Sequence, residues 1–490
     1  MTAATAPPAP SPGAAEPRLR WTLGLLALAQ LIYALDLNIV FVALPRIGAD
    51  LGFPGQTQQL VVSAYVVFAG GFLLFGGRAA DLLGRRRIFV IALLLYAVSS
   101  LAGGLATGPA VIIAARAVQG IGGALLLPST LALLNGLFAE GPQRNRALAV
   151  WGGAGASGLT IGALLGGLLT QHFGWPSVFF VNVPLAGLVA LAALAVIPRD
   201  PAGRERRRFD IPGALSVTAG STLLVFALVE GPELGWGSPL VIGAFASAAA
   251  LLVIFALVEA RSADPLMPFR LFHNRSLTVG MLVTFVYMAT FGVLPYFLTV
   301  LLQSVHGYSA LQSGLAFLIP SLAIAAGTQG GERLATRIGT RATLLIGFAV
   351  GVPGTAVLAL GFDAGAGYGL LVPGLIISGL GQGIVWTAMW IVAATGTAPH
   401  EQGVANGIAS TTLNIGNAIG LAVFTVIAEL GTGGRTGQAL RAATADGGFL
   451  VVLLTAAAMI IGLLVTLTLP RLRREAPGAV RSDASRVATG

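Results

Sequence analysis

Cysteine and lysine are both missing from this chain of 490 residues. Without cysteine there are no disulfides and no thiolate metal sites. Without lysine the phosphate-binding pattern GxxxxGK[ST] cannot be written, which removes ATP hydrolysis by that route. Histidine is sparse, and His172, His273, His306 and His400 fall in loops or links too scattered to hold a metal. Charge is scarce as well: 10% of the residues are charged, against about 25% in a soluble globular domain. No nucleophile and base pair, carboxylate dyad or histidine cluster converges in the apolar runs, so the chain does not read as an enzyme.

What fills the chain instead is hydrophobicity in long blocks, with 56% hydrophobic residues and a mean hydropathy of +0.86. Crossing the hydrocarbon of a bilayer takes about 20 mostly apolar residues per helix. Fourteen segments qualify, the first at 21–45 and the last at 447–469. Their apolar runs are continuous rather than alternating with period two, which excludes an outer-membrane barrel and leaves helices that close their own backbone bonds. The fold class is therefore all-α, an integral membrane protein. Its 67 glycines imply close helix contacts, since small residues let membrane helices approach where no hydrophobic force drives them together.

The formal net charge of +9 does not gather into one basic domain, so no nucleic-acid partner is expected. The arginines sort by loop. With the N-terminus placed inside, the outer loops keep only Arg46, Arg435 and Arg441, and the positive-inside rule then makes both termini cytoplasmic. Residues 1–20, rich in Ala and Pro and lacking a signal peptide, are expected to be a disordered cytoplasmic tail, and 471–490 a second one. Residues 21–197 form a first group of six spans. The charged links Pro198 to Asp210 and Glu259 to Arg275 bracket an extra pair of spans, giving a segment of 198–275, and 276–470 holds a second six.

That six, two, six layout fits a duplication. The basic turn GRAADLLGRRR, Gly77 to Arg87, returns as GERLATRIGTR, Gly331 to Arg341, with Asp81 opposite Thr336, Gly84 opposite Gly339 and Arg86 opposite Arg341 at an offset of 255 residues. Gly84 suits a sharp turn. Asp81 can pair with an arginine or face the N-terminal dipole of a neighbouring helix, making a latch that Thr336 cannot match in charge. A purely topogenic turn is the competing reading.

Two ionisable side chains lie well inside the predicted spans, Asp36 in the first and Arg116 in the fourth. An intramembrane charge is a functional candidate by default, although a structural ion pair that fixes packing is the alternative. Burial favours the neutral acid and a nearby arginine favours the carboxylate, so helix motion can tip Asp36 between the two. Tyr33 and Gln119, each three residues from a charged member, share its helix face. Farther along, Ser378, Gln382, Trp386 and Trp390 recur at i+4 in the twelfth span, and Asn406, Ser410, Asn414 and Asn417 follow helical spacing in the thirteenth. Aromatic faces beside amides suit large amphipathic ligands, while asparagines can equally glue helices together.

Several motifs carry a resemblance. LDLNIVFVALP, Leu35 to Pro45, is similar to LDxTIVNVALP, with Asn38 and Phe41 as departures. GRAADLLGRRR matches a loop between second and third spans through Gly77, Asp81, Gly84, Arg85 and Arg86, and RAVQGIGG, Arg116 to Gly123, is similar to a fourth-span motif. Gly158, Gly162, Gly166 and Gly167 resemble the fifth-span pattern GPxxGG, with Ala163 at the proline position. Over roughly 20 to 470 the chain thus resembles the major facilitator superfamily, within it the fourteen-span drug:proton antiporter branch of the EmrB/QacA type.

The resemblance implies the major facilitator fold, two six-helix bundles plus two extra transmembrane helices, and proton-coupled efflux of a hydrophobic or amphipathic small molecule by alternating access. It makes Asp36 and Arg116 the proton-coupling residues and the 77–87 turn the gating hairpin. No cofactor is expected, the proton gradient being the energy source. The partners are substrate, protons and the lipid bilayer of the cytoplasmic membrane, with no obligatory protein partner evident. A proton-coupled importer, which Ala163 keeps open, and a non-transporting membrane sensor or scaffold are the other readings.

Overall fold

The computed structural model describes residues 12–53, 58–200, 210–262, 265, 267–398 and 401–470. The expected C-terminal tail, His400 and residues 201–209 of the charged loop lie outside the described residues. Among the described residues there is no strand, and 14 helices are long and apolar enough to cross a membrane.

The first six are α1 (Pro12–Asp50), α2 (Leu60–Leu83), α3 (Arg85–Gly104), α4 (Pro109–Leu137), α5 (Pro142–Phe173) and α6 (Ser177–Val196). The extra pair is α7 (Ile211–Leu234) and α8 (Pro239–Arg261). The last six are α9 (Arg275–Val305), α10 (Leu311–Ile338), α11 (Thr340–Ala359), α12 (Tyr368–Ala394), α13 (Gln402–Glu429) and α14 (Gly437–Leu467).

Prolines shape two of them. Pro184 has no N–H to offer the turn before it, and α6 breaks at Val181, so that Asn182 starts its long second piece. Pro295 follows a tight turn at Phe291–Val293 in α9. By contrast α5 runs unbroken through position 163. One expectation changes: of the tail 1–20, residues 12–20 are helical rather than disordered. Pro12 sits in the first turn, where a missing N–H costs nothing. The Arg18 side chain donates to the Val196 carbonyl at 3.0 Å and reaches that of Ala195, tying the start of α1 to the end of α6.

Glycine sets the packing, and it does so twice. A Cβ at Gly158, Gly162 or Gly166 of α5 would lie 2.4–2.7 Å from the α1 carbonyls of Leu31, Leu35 or Ile39. Eight spans later Gly416 and Gly420 of α13 meet the α9 carbonyls of Phe285 and Ala289 in the same way, each at 2.5 Å. Gly120 of α4 abuts the Tyr65 carbonyl of α2, and Gly383 of α12 abuts that of Ile324 in α10. The neighbour pattern repeats accordingly: α1 on α5, α2 and α3 on α4, and α3 on α6 are echoed by α9 on α13, α10 and α11 on α12, and α11 on α14. Across the middle, α2 lies on α13 and α10 on α5. Gly167 stands apart from the stripe, since a Cβ there would meet only Val42 at 3.9 Å.

Outer faces are apolar, as a lipid-facing surface requires. Leu188, Leu191 and Leu194 line one exposed face of α6. α7 packs on α2, α8 and α13, whereas only 22% of the apolar window of α8 is buried.

The close approach of α5 to α1 gives a direct test. Gly162→Ala is expected to lower stability by about 1–3 kcal/mol through overpacking, read as a lower unfolding temperature of purified protein in detergent. Gly187→Ala in α6, where a Cβ meets nothing within 4 Å, is expected to leave that temperature unchanged.

Candidate functional site

Inside the first six spans, four helices deliver polar side chains to one buried point. Asp36 of α1 is 0% exposed and Arg116 of α4 is 1% exposed, and Arg116 Nη1 donates to Asp36 Oδ2 at 2.6 Å. Gln119 Nε2 donates to Asp36 Oδ1 at 2.9 Å, and Asn182 Nδ2 of α6 donates to the same oxygen at 2.8 Å. Gln119 also accepts from Arg116 at 2.8 Å and donates to Ser100 Oγ of α3 at 2.9 Å. The guanidinium is fixed on its other sides by the Val61 carbonyl of α2, 3.1 Å from Nε, and by the Tyr65 ring, whose centroid lies 4.3 Å from Cζ. Tyr65 and Tyr96 place their hydroxyls 3.3 Å apart.

The arrangement is a charge pair with its hydrogen bonds supplied, the condition under which ions survive in a low-dielectric interior. It can hold a carboxylate, and it can release one if a proton neutralises Asp36 or if α1 shifts against α4 and α6. Of the residues singled out by sequence, Asp36, Arg116 and Gln119 meet here, and Tyr33 lies one turn away beside Tyr65 and Gly123. Sequence reasoning missed Asn182, Ser100, Tyr65 and Tyr96. The only signal for Asn182 was an asparagine two residues before Pro184 in an otherwise apolar run.

A second site joins the halves at the end that carries the basic turns. Asp81, at the end of α2, accepts from the backbone N–H groups of Gly403 at 3.0 Å and Val404 at 2.9 Å, the first turn of α13. Those are unsatisfied donors at the positive end of a helix dipole. Arg85 lies 3.6 Å from Asp81 and donates to the Ala132 carbonyl at 3.0 Å. Gly77 permits the contact, because a Cβ there would fall 2.2 Å from the Gly403 carbonyl oxygen. Gly84 turns the chain with φ of 109°, and Gly339 does the same in the second copy with φ of 86°.

Arg86 donates to the Leu194 carbonyl near the end of α6, and Arg341 to the Leu467 carbonyl at the end of α14. Asp200, which sequence reasoning passed over, accepts from the backbone N–H of Arg86 and Arg87, both at 3.2 Å. Thr336 has a role of its own: its Oγ1 accepts from Asn145 Nδ2 of α5 at 3.2 Å, a neutral bond across the other seam.

Between the halves the tryptophans cluster. Trp386 of α12 stacks on Trp151 of α5 with centroids 6.2 Å apart and planes 9° apart, and Trp390 meets both edge-on at 5.7 and 5.8 Å. Tyr287 of α9 lies 5.5 Å from Trp386, and Gln382 is near its hydroxyl. The indole N–H groups of Trp151, Trp386 and Trp390 have no acceptor among the described residues. Trp151 was missed by sequence, although it precedes a glycine pair that lets Trp386 lie over Gly152.

The thirteenth-span stripe divides. Asn406 is buried and accepts from Asn135 of α4 at 3.4 Å. Asn414 donates to the Ser410 carbonyl of its own helix at 3.0 Å, and the Ser410 hydroxyl is buried without a partner. Asn417 is half-buried beside Gly292 and Met288 of α9. Two acids near the ends of α7 and α8 are buried: Glu230 and Glu259 are 6% and 3% exposed. Glu259 is covered in part by Met267, whose N–H donates to it at 2.5 Å.

The Asp36 and Arg116 pair makes a thermodynamic prediction. Removing one partner of a buried pair leaves an uncompensated charge, costing about 3–5 kcal/mol, whereas removing both is far milder. Arg116→Gln is therefore expected to unfold at a lower temperature than the double variant Asp36→Asn/Arg116→Gln, measured on purified protein in one detergent.

Comparison with known proteins places this geometry. The sequence profile of the Major Facilitator Superfamily matches residues 26–421 and again 280–486. The cephamycin export protein CmcT of Amycolatopsis lactamdurans is 38% identical, with 94% of each chain covered. The puromycin resistance protein of Streptomyces alboniger is 37% identical, over 88% of this chain and 86% of that one. Among solved structures, the human organic anion transporter MFSD10 superposes with a TM-score of 0.67 at 18% identity, covering 91% of this chain and 99% of its own. With the duplicated packing and the motif residues in place, the chain is a multi-pass membrane transporter, not an enzyme, and it belongs to the Major Facilitator Superfamily, in the fourteen-span branch that its motifs resemble.

Proposed function

We propose that the chain exports antibiotic-like small molecules across the cytoplasmic membrane in exchange for protons, by alternating access. Export and the class of cargo are supported by relatives whose names speak of antibiotic resistance and export and which match over nearly the full chain. The proton role is supported by one observation above all: Asp36, a fully buried acid well inside the first span, is paired with an arginine and two amides. The proton gradient is the energy source and no cofactor takes part. The end bearing the basic turns faces the cytoplasm, as do both termini, because the arginines concentrate there.

In this reading a proton arriving at Asp36 cancels the charge that Arg116, Gln119 and Asn182 hold, and α1 is freed to move with α5, on which it is packed. At the cytoplasmic end the halves part only when Asp81 leaves the head of α13 and the bond between Asn145 and Thr336 breaks. Substrate is held between the halves, where Trp151, Trp386 and Trp390 offer flat faces and spare indole N–H donors to ring systems bearing carbonyl or ether oxygens. Gln382, Ser410, Asn414 and Asn417 are the candidate polar contacts on the C-terminal side.

Asp36→Asn keeps the shape and one acceptor oxygen while removing the titrating group; it trades the second acceptor for an amide N–H and so, like Arg116→Gln, lowers the unfolding temperature. It is expected to reach the membrane folded and to lose efflux of a fluorescent amphipathic dye driven by a pH gradient in proteoliposomes. Wild-type proton-linked efflux by this variant would refute the role of Asp36.

A further inference from the structure

The pair of helices that the two six-helix groups do not need is placed on the seam between them. α7 touches both α2 and α13, the helices joined by the Asp81 contact. Its fit to α2 is close: a Cβ at Gly71 would fall 2.0 Å from Thr222 Oγ1, and one at Gly70 would fall 3.1 Å from Val225. Charged groups then tie this pair to each side of the contact.

On the α2 side, Arg78, next to Gly77, is buried and lies within electrostatic reach of Glu259 at the end of α8, as does Asp210 at the head of α7. Asp210 Oδ1 caps α7 through the Gly213 N–H at 2.9 Å, and neither Asp210 Oδ2 nor Glu259 Oε2, both buried, has a hydrogen-bond partner among the described residues. On the α13 side, Arg270 in the short helix Phe269–His273 of the linker donates to Glu401, the residue that opens α13 directly before the Asp81 contact. Glu401 is 4% exposed although Arg270 is largely in solvent.

We propose that α7, α8 and the short helix Phe269–His273 form a clasp on the cytoplasmic gate. Glu259 steadies Arg78 beside Gly77, Asp210 caps the head of α7, Arg270 steadies Glu401 at the head of α13, and the two tethers hold both sides of the Asp81 contact in register. Glu259, Arg270 and Glu401 are positioning residues: none touches Asp36 or the tryptophans, and they act on how often the gate opens. The inference rests on the reading that the Asp81 contact parts during transport.

The absence of cysteine allows a clean test. Asn145→Cys introduces a single thiol at the opposite seam of the gate, buried in the closed arrangement; the lost bond to Thr336 is common to every variant compared, and the labelling rate by a water-soluble maleimide in membranes reports opening relative to that background. In that background Arg270→Gln and Glu401→Gln are each expected to raise labelling by about two- to fivefold, the range for an ion pair with one exposed partner, and the double variant by no more than the larger single effect. Glu259→Gln is expected to raise it as well. Dye efflux normalised to the amount of folded transporter should change in turnover rate with KM for the dye unchanged, whereas a mere loss of folded protein would leave the normalised rate as it was.

Asp81→Asn separates the two ideas. If it speeds labelling while the Arg270, Glu401 and Glu259 variants do not, or if the Arg270 and Glu401 effects simply add, the clasp is overturned and the gate stands. If Asp81→Asn leaves labelling unchanged, the gate reading falls and the clasp with it.

Discussion

A carboxylate and a guanidinium placed in the interior of a membrane protein constrain everything around them. Neither can stay there alone, and together they persist because their remaining hydrogen-bonding capacity is largely met by neighbours. Gln119, Ser100, Asn182, the Val61 carbonyl and the Tyr65 face do that here, drawing α1, α2, α3, α4 and α6 to a common point. A change in the charge of Asp36 is therefore felt by most of the N-terminal half at once. This coupling between one titratable group and several helices is what a proton-driven transporter needs, and it explains how a small chemical event could move large rigid bodies.

The duplication distributes the remaining work unevenly. Both halves use glycines to lay one helix against another and both turn the chain at a left-handed glycine. At the seams, however, Asp81 binds the dipole of α13 with a full charge, whereas Thr336 offers Asn145 a neutral bond. Charge-assisted hydrogen bonds are roughly twice as strong as neutral ones, so the α2 and α13 seam is the stronger of the two. The extra helices lie on that same seam, where added restraint has most effect on opening.

Span number and helical class were legible because continuous apolar runs have few physical solutions in lipid. The Asp36 and Arg116 pairing could be anticipated for a related reason: two isolated charges inside apolar helices must find each other or a polar cavity. Asn182, Ser100 and Asn145 were not legible, since one amide or hydroxyl in a span carries no periodicity and its role depends on which helix faces it. Trp151 stayed hidden because its partners lie more than 200 residues away. The burial of Glu230 and Glu259 was not legible either: position near a span end suggests water, but the contact of Met267 that covers Glu259 belongs to tertiary structure. The helix at residues 12–20 likewise depends on Arg18 reaching the end of α6.

Infrared difference spectroscopy on the reconstituted protein, comparing substrate-free and substrate-saturated states, reads the charge of the buried acid most directly. The account predicts a carboxylic acid C=O band that changes intensity between the two states and is missing from Asp36→Asn. An unchanging spectrum in this region, with transport intact in the same preparation, would contradict it, for Asp36 would then be a fixed member of a structural pair and the proton would have to travel elsewhere.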